Sequence, residues 1–189
     1  MEITALTELD AVNNIIGTIG ESPINSLENL ANVDAINALR ILREVSRQEQ
    51  ARGWSFNIIK EHHLTPDYYT NRILWNDHYL SLKGTNGEKL VRDGKYIKNL
   101  TNGSIYFTSY VVAEAVLLIP FDELPEAMRS YIIAKSCYLF QSRYFGDDTL
   151  IKVTQAQIAD AWQQLMEFEV DNNDYTWFDN QHIQELLSR

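Results

Sequence analysis

The spacing of apolar residues changes twice along this chain, and that alternation limits the folds open to it. From Asp34 to Arg52, Ala35, Ala38, Leu39, Leu42 and Val45 recur at intervals of three and four. Such spacing puts them on one face of an amphipathic helix. Asn37, Arg40, Glu44 and Arg47 fall on the other side. Arg40 and Glu44 stand four apart and can pair, in the less favourable order. Asp34 is the expected N-cap and Gly53 the expected stop. At Trp54 the period drops to two: Trp54-Ser55-Phe56-Asn57-Ile58 alternates and is rich in strand formers. At Asp122 the helical period returns.

The flanking segments fill in the pattern. Thr7 to Gly20 predicts a first helix, with Thr7 and Asp10 as a capping pair and Gly20 as the C-terminal stop. Leu9, Val12, Ile15, Ile16 and Ile19 form its stripe, and Glu21 to Val33 is a loop. In the β-rich part, Ile73 to Lys83 predicts a strand with Trp75, Tyr79 and Leu82 available for packing. Lys89 to Ile97 predicts a hairpin turning at Asp93-Gly94, of type I′, whose two central residues need positive φ. Ile105 to Ile119 is again strand-rich. Asp122 is then the expected N-cap of a third helix, with Pro125 in its first turn and Gly146 at its end. A last helix is expected from Thr149 to Val170, with Ile151, Ile158, Ala161, Trp162, Leu165 and Phe168 inward and Gln155, Asp160, Gln164 and Glu167 outward.

The expected class is therefore α+β. Two N-terminal and two C-terminal long helices would make an antiparallel helical bundle (1–53 and 122–173), with an inserted antiparallel β-rich segment (54–121). The end of the chain, 174–189, is too short for a core of its own, yet it carries Trp177, Phe178, Ile183, Leu186 and Leu187. Such a tail is expected to dock on its own body or on a neighbour.

At 189 residues one domain suffices, and roughly 70% of the unfolded surface can be buried without a covalent staple. The single cysteine, Cys137, lies in an apolar stripe and reads as a buried small residue, compatible with a reducing cytosol. The first ten residues, MEITALTELD, have no signal-peptide pattern, and no apolar run has the length of a membrane span. A net charge of −10 argues against a general nucleic-acid binder. Against that background Arg40, Arg43, Arg47 and Arg52 form a basic ridge on the second helix. It is either a solvated face or a contact with another subunit, since guanidinium forks match carboxylates at interfaces.

Catalytic and metal chemistry finds little purchase. Lys83 to Lys89 has two residues between its glycines and Glu88 after the second, where a phosphate loop needs four and a lysine; it reads as a hairpin turn. A calcium loop begun at Asp171 would need Gly and Glu where Thr176 and His182 stand. Glu61-His62-His63 is the one histidine cluster, but neighbours in an extended chain point to opposite faces. There is no GxSxG motif. Two well-placed carboxylates would suffice for a glycosidase, and 26 acidic residues leave that alternative open. The aromatic residues Tyr68, Tyr69, Trp75, Tyr79, Tyr96, Tyr106, Phe107 and Tyr110 are expected in strands, mostly packing on sheet faces. The remainder would make a surface for another protein.

Several blocks, in order, resemble the tail tubular protein A family of podophages. They are Leu9-Asp10-Ala11-Val12-Asn13-Asn14-Ile15-Ile16, Ile19 to Ile24, Asp34 to Leu42, and Gln50-Ala51-Arg52-Gly53-Trp54-Ser55-Phe56-Asn57. Tyr79-Leu80-Ser81-Leu82, Leu124-Pro125-Glu126 and Arg143-Tyr144-Phe145-Gly146 follow. The resemblance implies a non-enzymatic, cofactor-free virion protein, an adaptor or gatekeeper between head and tail. It would form a dodecameric ring beneath the portal protein, with the nozzle (tail tubular protein B) below and tail fibres at their junction. DNA would pass through the bore, and the protein would reside in the host cytoplasm before assembly. The alternative is a tail-borne hydrolase of peptidoglycan or polysaccharide; no residue pattern supports it.

Overall fold

The computed structural model describes residues 6–144, 146 and 148–172; the tail residues Trp177, Phe178, Ile183, Leu186 and Leu187 lie outside the described residues. The class is α+β: four helices and small antiparallel sheets. By internal contacts the chain divides into a helical unit, Met1–Val45 with Leu124–Arg189, and a β unit, Ser46–Glu123.

In the helical unit, α1 (Glu8–Gly17) starts at the expected capping box. Thr7 Oγ1 accepts from the Asp10 amide at 3.2 Å, and Asp10 Oδ2 accepts from the Thr7 amide at 3.0 Å. The helix stops at Gly17, three residues early. The chain then closes one more turn with Glu21 N–H to Ile16 O and Gly20 N–H to Gly17 O, Gly20 having φ +80°. That is a Schellman closure, for which a glycine is suited. Helix α2 (Val33–Gln50) is capped by Asn32, not Asp34. Asn32 Oδ1 accepts from the Asp34 and Ala35 amides, so Asp34 sits inside the first turn, where its charge suits the helix dipole. The predicted stripe is buried except for Leu39, which is half-buried, and Ile41 joins it.

Helix α3 (Glu126–Tyr144) begins after Pro125, whose carbonyl accepts the Arg129 N–H. The expected cap Asp122 lies instead in a short 3-10 turn, Phe121–Glu123. Proline at the boundary supplies a fixed φ and needs no donor, so the helix takes its start from there. Met128, Tyr131, Ile132 and Phe140 are buried. Helix α4 (Asp148–Asn172) packs along α3, with Ala161 and Leu165 inward and Gln155, Asp160, Gln164 and Glu167 exposed. Helix α1 also packs on α3.

The β unit departs further from the sequence reading. Residues 54–57 form a turn, not a strand: Trp54 O accepts from the amides of Asn57 and Ile58. Strand β1 (Ile58–Leu64) begins only after it. Asn76 breaks the predicted strand at Ile73 to Lys83. Its Oδ1 takes the His78 amide, and its carbonyl takes the Tyr79 amide, so β2 is Tyr79–Gly84 alone. Short polar side chains offer the backbone such local partners in place of a ladder. The hairpin appears as β3 (Leu90–Asp93) and β4 (Tyr96–Asn99). Its central pair is Gly94-Lys95, and only Gly94 has positive φ (+60°). That is the type II′ pattern, glycine first, and not type I′. Strand β5 (Val111–Leu117) lies between β1 and β2, antiparallel to both. Leu64, Ile73, Tyr79, Leu82, Leu90, Ile97, Phe107, Ala113 and Ala115 form the core of this unit.

Charge is split unevenly. The β unit holds nine Asp and Glu against nine Lys and Arg, and the helical unit 17 against 7. The whole net charge of −10 thus belongs to the helical unit.

Candidate assembly surfaces

The block Gln50–Asn57, one of those that carry the family resemblance, builds the exit from α2 into the sheet. Gln50 is fully buried. Its Nε2 donates to Ile119 O (3.0 Å) and Ser46 Oγ (3.0 Å), while its Oε1 accepts from Ile119 N (2.8 Å). Asn57, 2% exposed, accepts from Trp54 N at 2.7 Å and donates to Gln50 O and Leu117 O, both at 2.9 Å. Trp54 Nε1 donates to Glu49 O at 2.7 Å. Gly53 has φ +80°, and a Cβ there would sit 3.1 Å from Ile58 Cδ1. Two primary amides therefore hold a helix end, a turn and the β5 strand end in one arrangement. Periodicity alone puts Asn57 in a strand and is silent on Gln50, because a buried amide leaves no periodic trace.

The arginines of the ridge divide. Arg40, Arg43 and Arg47 lie at i, i+3 and i+7 on one exposed face of α2. Arg43 makes a two-pronged bond to Glu8, with Nε–Oε1 2.8 Å and the second nitrogen 2.9 Å from Oε2. That bond raises the Arg43 pKa above its ordinary value. Arg40 donates to Tyr144 Oη at 2.9 Å. Glu44 pairs with Arg143 at 3.1 Å, and not with Arg40 as its position suggested. Arg52 lies beyond α2 and neutralises the buried Glu49 at 3.0 Å. Among the described residues Arg47 forms no ion pair, so it is the ridge member most available to another chain.

A groove of about 480 Å³ opens in the helical unit, lined by α1, α3 and α4 together with Leu6 and Thr18. Ile133, Ala134, Cys137 and Ala161 supply apolar lining, with Gln157 and Asp160 also lining it. Burial pushes the Cys137 thiol up to about 12, so it stays protonated and unreactive at neutral pH.

The β unit presents a different surface. Tyr68 and Tyr69, predicted in a strand, occupy a turn and are 88% and 89% exposed. Asp67 builds that turn. Its Oδ1 accepts from the Tyr69 amide (3.1 Å), the Thr70 amide (2.9 Å) and Thr70 Oγ1 (2.9 Å). Backbone bonds from Asp67 N to Arg72 O and from Asn71 N to Asp67 O close it, both at 2.8 Å. These hydrogen bonds hold the Asp67 carboxyl below its ordinary value. The two rings meet edge to face, centroids 5.4 Å apart. Arg72 lies near the rings of Tyr96 (5.0 Å) and Tyr106 (4.9 Å) and donates to Tyr106 Oη. Of the eight aromatics expected in strands, Tyr79 and Tyr96 alone are there; Tyr106 and Tyr110 are exposed outside strands, and Phe107 is buried. The run Pro66-Asp67 with Thr70-Asn71 was the available turn signal.

His62 bonds Tyr79 Oη (2.7 Å) while His63 stacks on Tyr110, so the two imidazoles take separate partners. Gly84 and Gly87 close the β2–β3 turn, with Gly84 N–H on Glu88 O. Among the described residues no group of three or more His, Cys, Asp or Glu is placed to hold a metal ion. Among the described residues no helix is long and apolar enough to cross a membrane.

A family model of tail tubular proteins matches residues 9–175. The chain belongs to the tail tubular protein family. Comparison with curated proteins returned no match. As a tail tubular protein it is a structural component of the phage virion tail and assembles with other tail components. The family is structural and not enzymatic.

Proposed function

We propose that this tail tubular protein is the head–tail adaptor. Copies of it close into a dodecameric ring between the portal protein and the nozzle, tail tubular protein B. Tail fibres attach at the lower junction, and the genome passes through the bore without specific binding. The protein waits in the host cytoplasm until assembly. The uneven charge is the observation that carries this reading: the helical unit holds all of the −10 and the β unit none. A closed ring of one chain needs two unlike, complementary faces on each copy, and one acidic and one neutral unit in the same chain support that reading. Acidic helical units turned toward the bore would repel phosphate and let DNA slide. Among the ridge residues Arg40, Arg43, Arg47 and Arg52, Arg47 reaches for a neighbour most readily. The tail residues Trp177, Phe178, Ile183, Leu186 and Leu187 dock on the portal or on the next copy, and the β unit faces nozzle and fibre.

Electron cryo-microscopy of intact tails tests the assignment. The reading expects twelve copies directly below the portal, and phage lacking the chain should yield filled heads that lose DNA and carry no nozzle. Placement elsewhere in the tail, or normal tails without the chain, overturns it. Arg47→Glu should lower incorporation into tails while leaving the isolated chain folded.

A further inference from the structure

We propose that the Tyr68–Tyr69 turn of one copy inserts into the α1–α3–α4 groove of a second copy, a contact that rests on the ring reading above. Two tyrosines nearly nine-tenths exposed on a turn fixed by five hydrogen bonds are unusual for a surface with no partner. The turn is already ordered, so docking it costs little conformational entropy. Tyrosine is also favoured at interface hot spots, where a ring is buried and its hydroxyl finds a partner.

The groove fits that occupant. Its volume of about 480 Å³ lies within the range of roughly 300–1,000 Å³ typical of pockets that enclose a ligand. Two tyrosine side chains bring about 300–500 Å² of surface to fill it. Ile133, Ala134 and Ala161 would meet the ring faces, and Gln157 and Asp160 can accept the phenolic hydrogens. Charge selects the same pairing. The helical unit carries 17 acidic against 7 basic residues, so two helical units repel one another. The turn adds no net charge, since the ionised Asp67 is balanced by Arg72 at its base. Asp160 on the groove is exposed and of opposite sign to Arg72. The knob and the hole lie in different units of the same chain, so the contact is heterologous and repeats from copy to copy.

A photocrosslinking phenylalanine analogue placed at Tyr68 in otherwise native tails tests this. The expected product is a covalent dimer of this chain, with the crosslink mapped to the peptides around 130–137 or 157–164. Crosslinks to another tail protein, or to a different part of this chain, overturn the proposal while leaving the adaptor reading intact. Absence of the chain from purified tails would instead strike the adaptor reading itself. Two variants approach the contact from opposite sides. Tyr68→Ala with Tyr69→Ala, and separately Ala161→Trp, should each lower incorporation at least tenfold. The double tyrosine variant changes only exposed side chains, so its circular dichroism and melting should match the unmodified chain. Full incorporation of that variant refutes the contact. A groove already occupied by the chain's own tail would show as a crosslink from Trp177 into the same peptides, and also refutes it.

Discussion

Asn57→Ala is the sharpest test of how the β unit is held to its helix end. The side chain is 2% exposed and makes three hydrogen bonds of 2.7–2.9 Å. Its removal does not affect the three partners equally. Gln50 O keeps a second donor, the Gly53 amide at 3.1 Å, so that bond costs only its net value of about 0.5–1.5 kcal/mol. Leu117 O is part-buried and loses a similar amount. Trp54 N–H loses its 2.7 Å acceptor; leaving a buried donor unsatisfied costs about 1–3 kcal/mol. The sum is about 2–6 kcal/mol, a large fraction of the roughly 5–15 kcal/mol that holds a domain together. Urea unfolding followed by tryptophan fluorescence should show the midpoint falling with the m-value unchanged. Asn57→Asp separates the donors from the acceptor. It keeps the bond from Trp54 N–H but sets a carboxylate against two carbonyls. That repulsion raises the folded-state pKa of the new acid above the unfolded value of about 3.9. The repulsive penalty is therefore absent below that value and grows as pH rises toward the folded pKa. A loss under about 1 kcal/mol for Asn57→Ala, with no change in m, would show that water or backbone replaces the amide and that the clamp argument is wrong.

Two further outcomes are expected. Cys137, with its pKa pushed up to about 12 by burial, should resist thiol reagents at pH 8 in the folded chain and react at once in denaturant; fast labelling of the folded chain would contradict its burial. Thr7→Ala should cost about 1 kcal/mol through loss of the α1 cap. Thr7 holds the Asp10 carboxyl below 3.8, its side chain more than its backbone, so the stability this bond gives is present above 3.8 and is lost as pH falls through the depressed folded value. In the variant that acid dependence flattens, and the Asp10 titration followed by NMR moves back toward 3.8.

The sequence by itself determined the order of elements, because periodicity is a property of covalent spacing. The apolar stripes of α1, α2 and α4, the Thr7–Asp10 capping box, the position of the β3–β4 hairpin and the burial of Cys137 all follow from local pattern. Element boundaries followed less well wherever a single short polar side chain competed with the regular backbone. Asn32 displaced Asp34 as a cap, Asn57 turned a predicted strand into a turn, and Asn76 shortened another. Each accepts a backbone amide within three residues, yet which of many asparagines wins depends on what else is buried beside it. The tertiary structure alone decided which side chains were left for partners. Arg43 looks equivalent to Arg47 in sequence, but Glu8 takes it up. Tyr68 and Tyr69 carry the same residue type as the buried Tyr79, and only the Asp67 turn puts them outside. Whether a group is spent or available depends on residues brought close by folding, up to 35 positions away for Arg43 and Glu8, and no local window in the chain contains both.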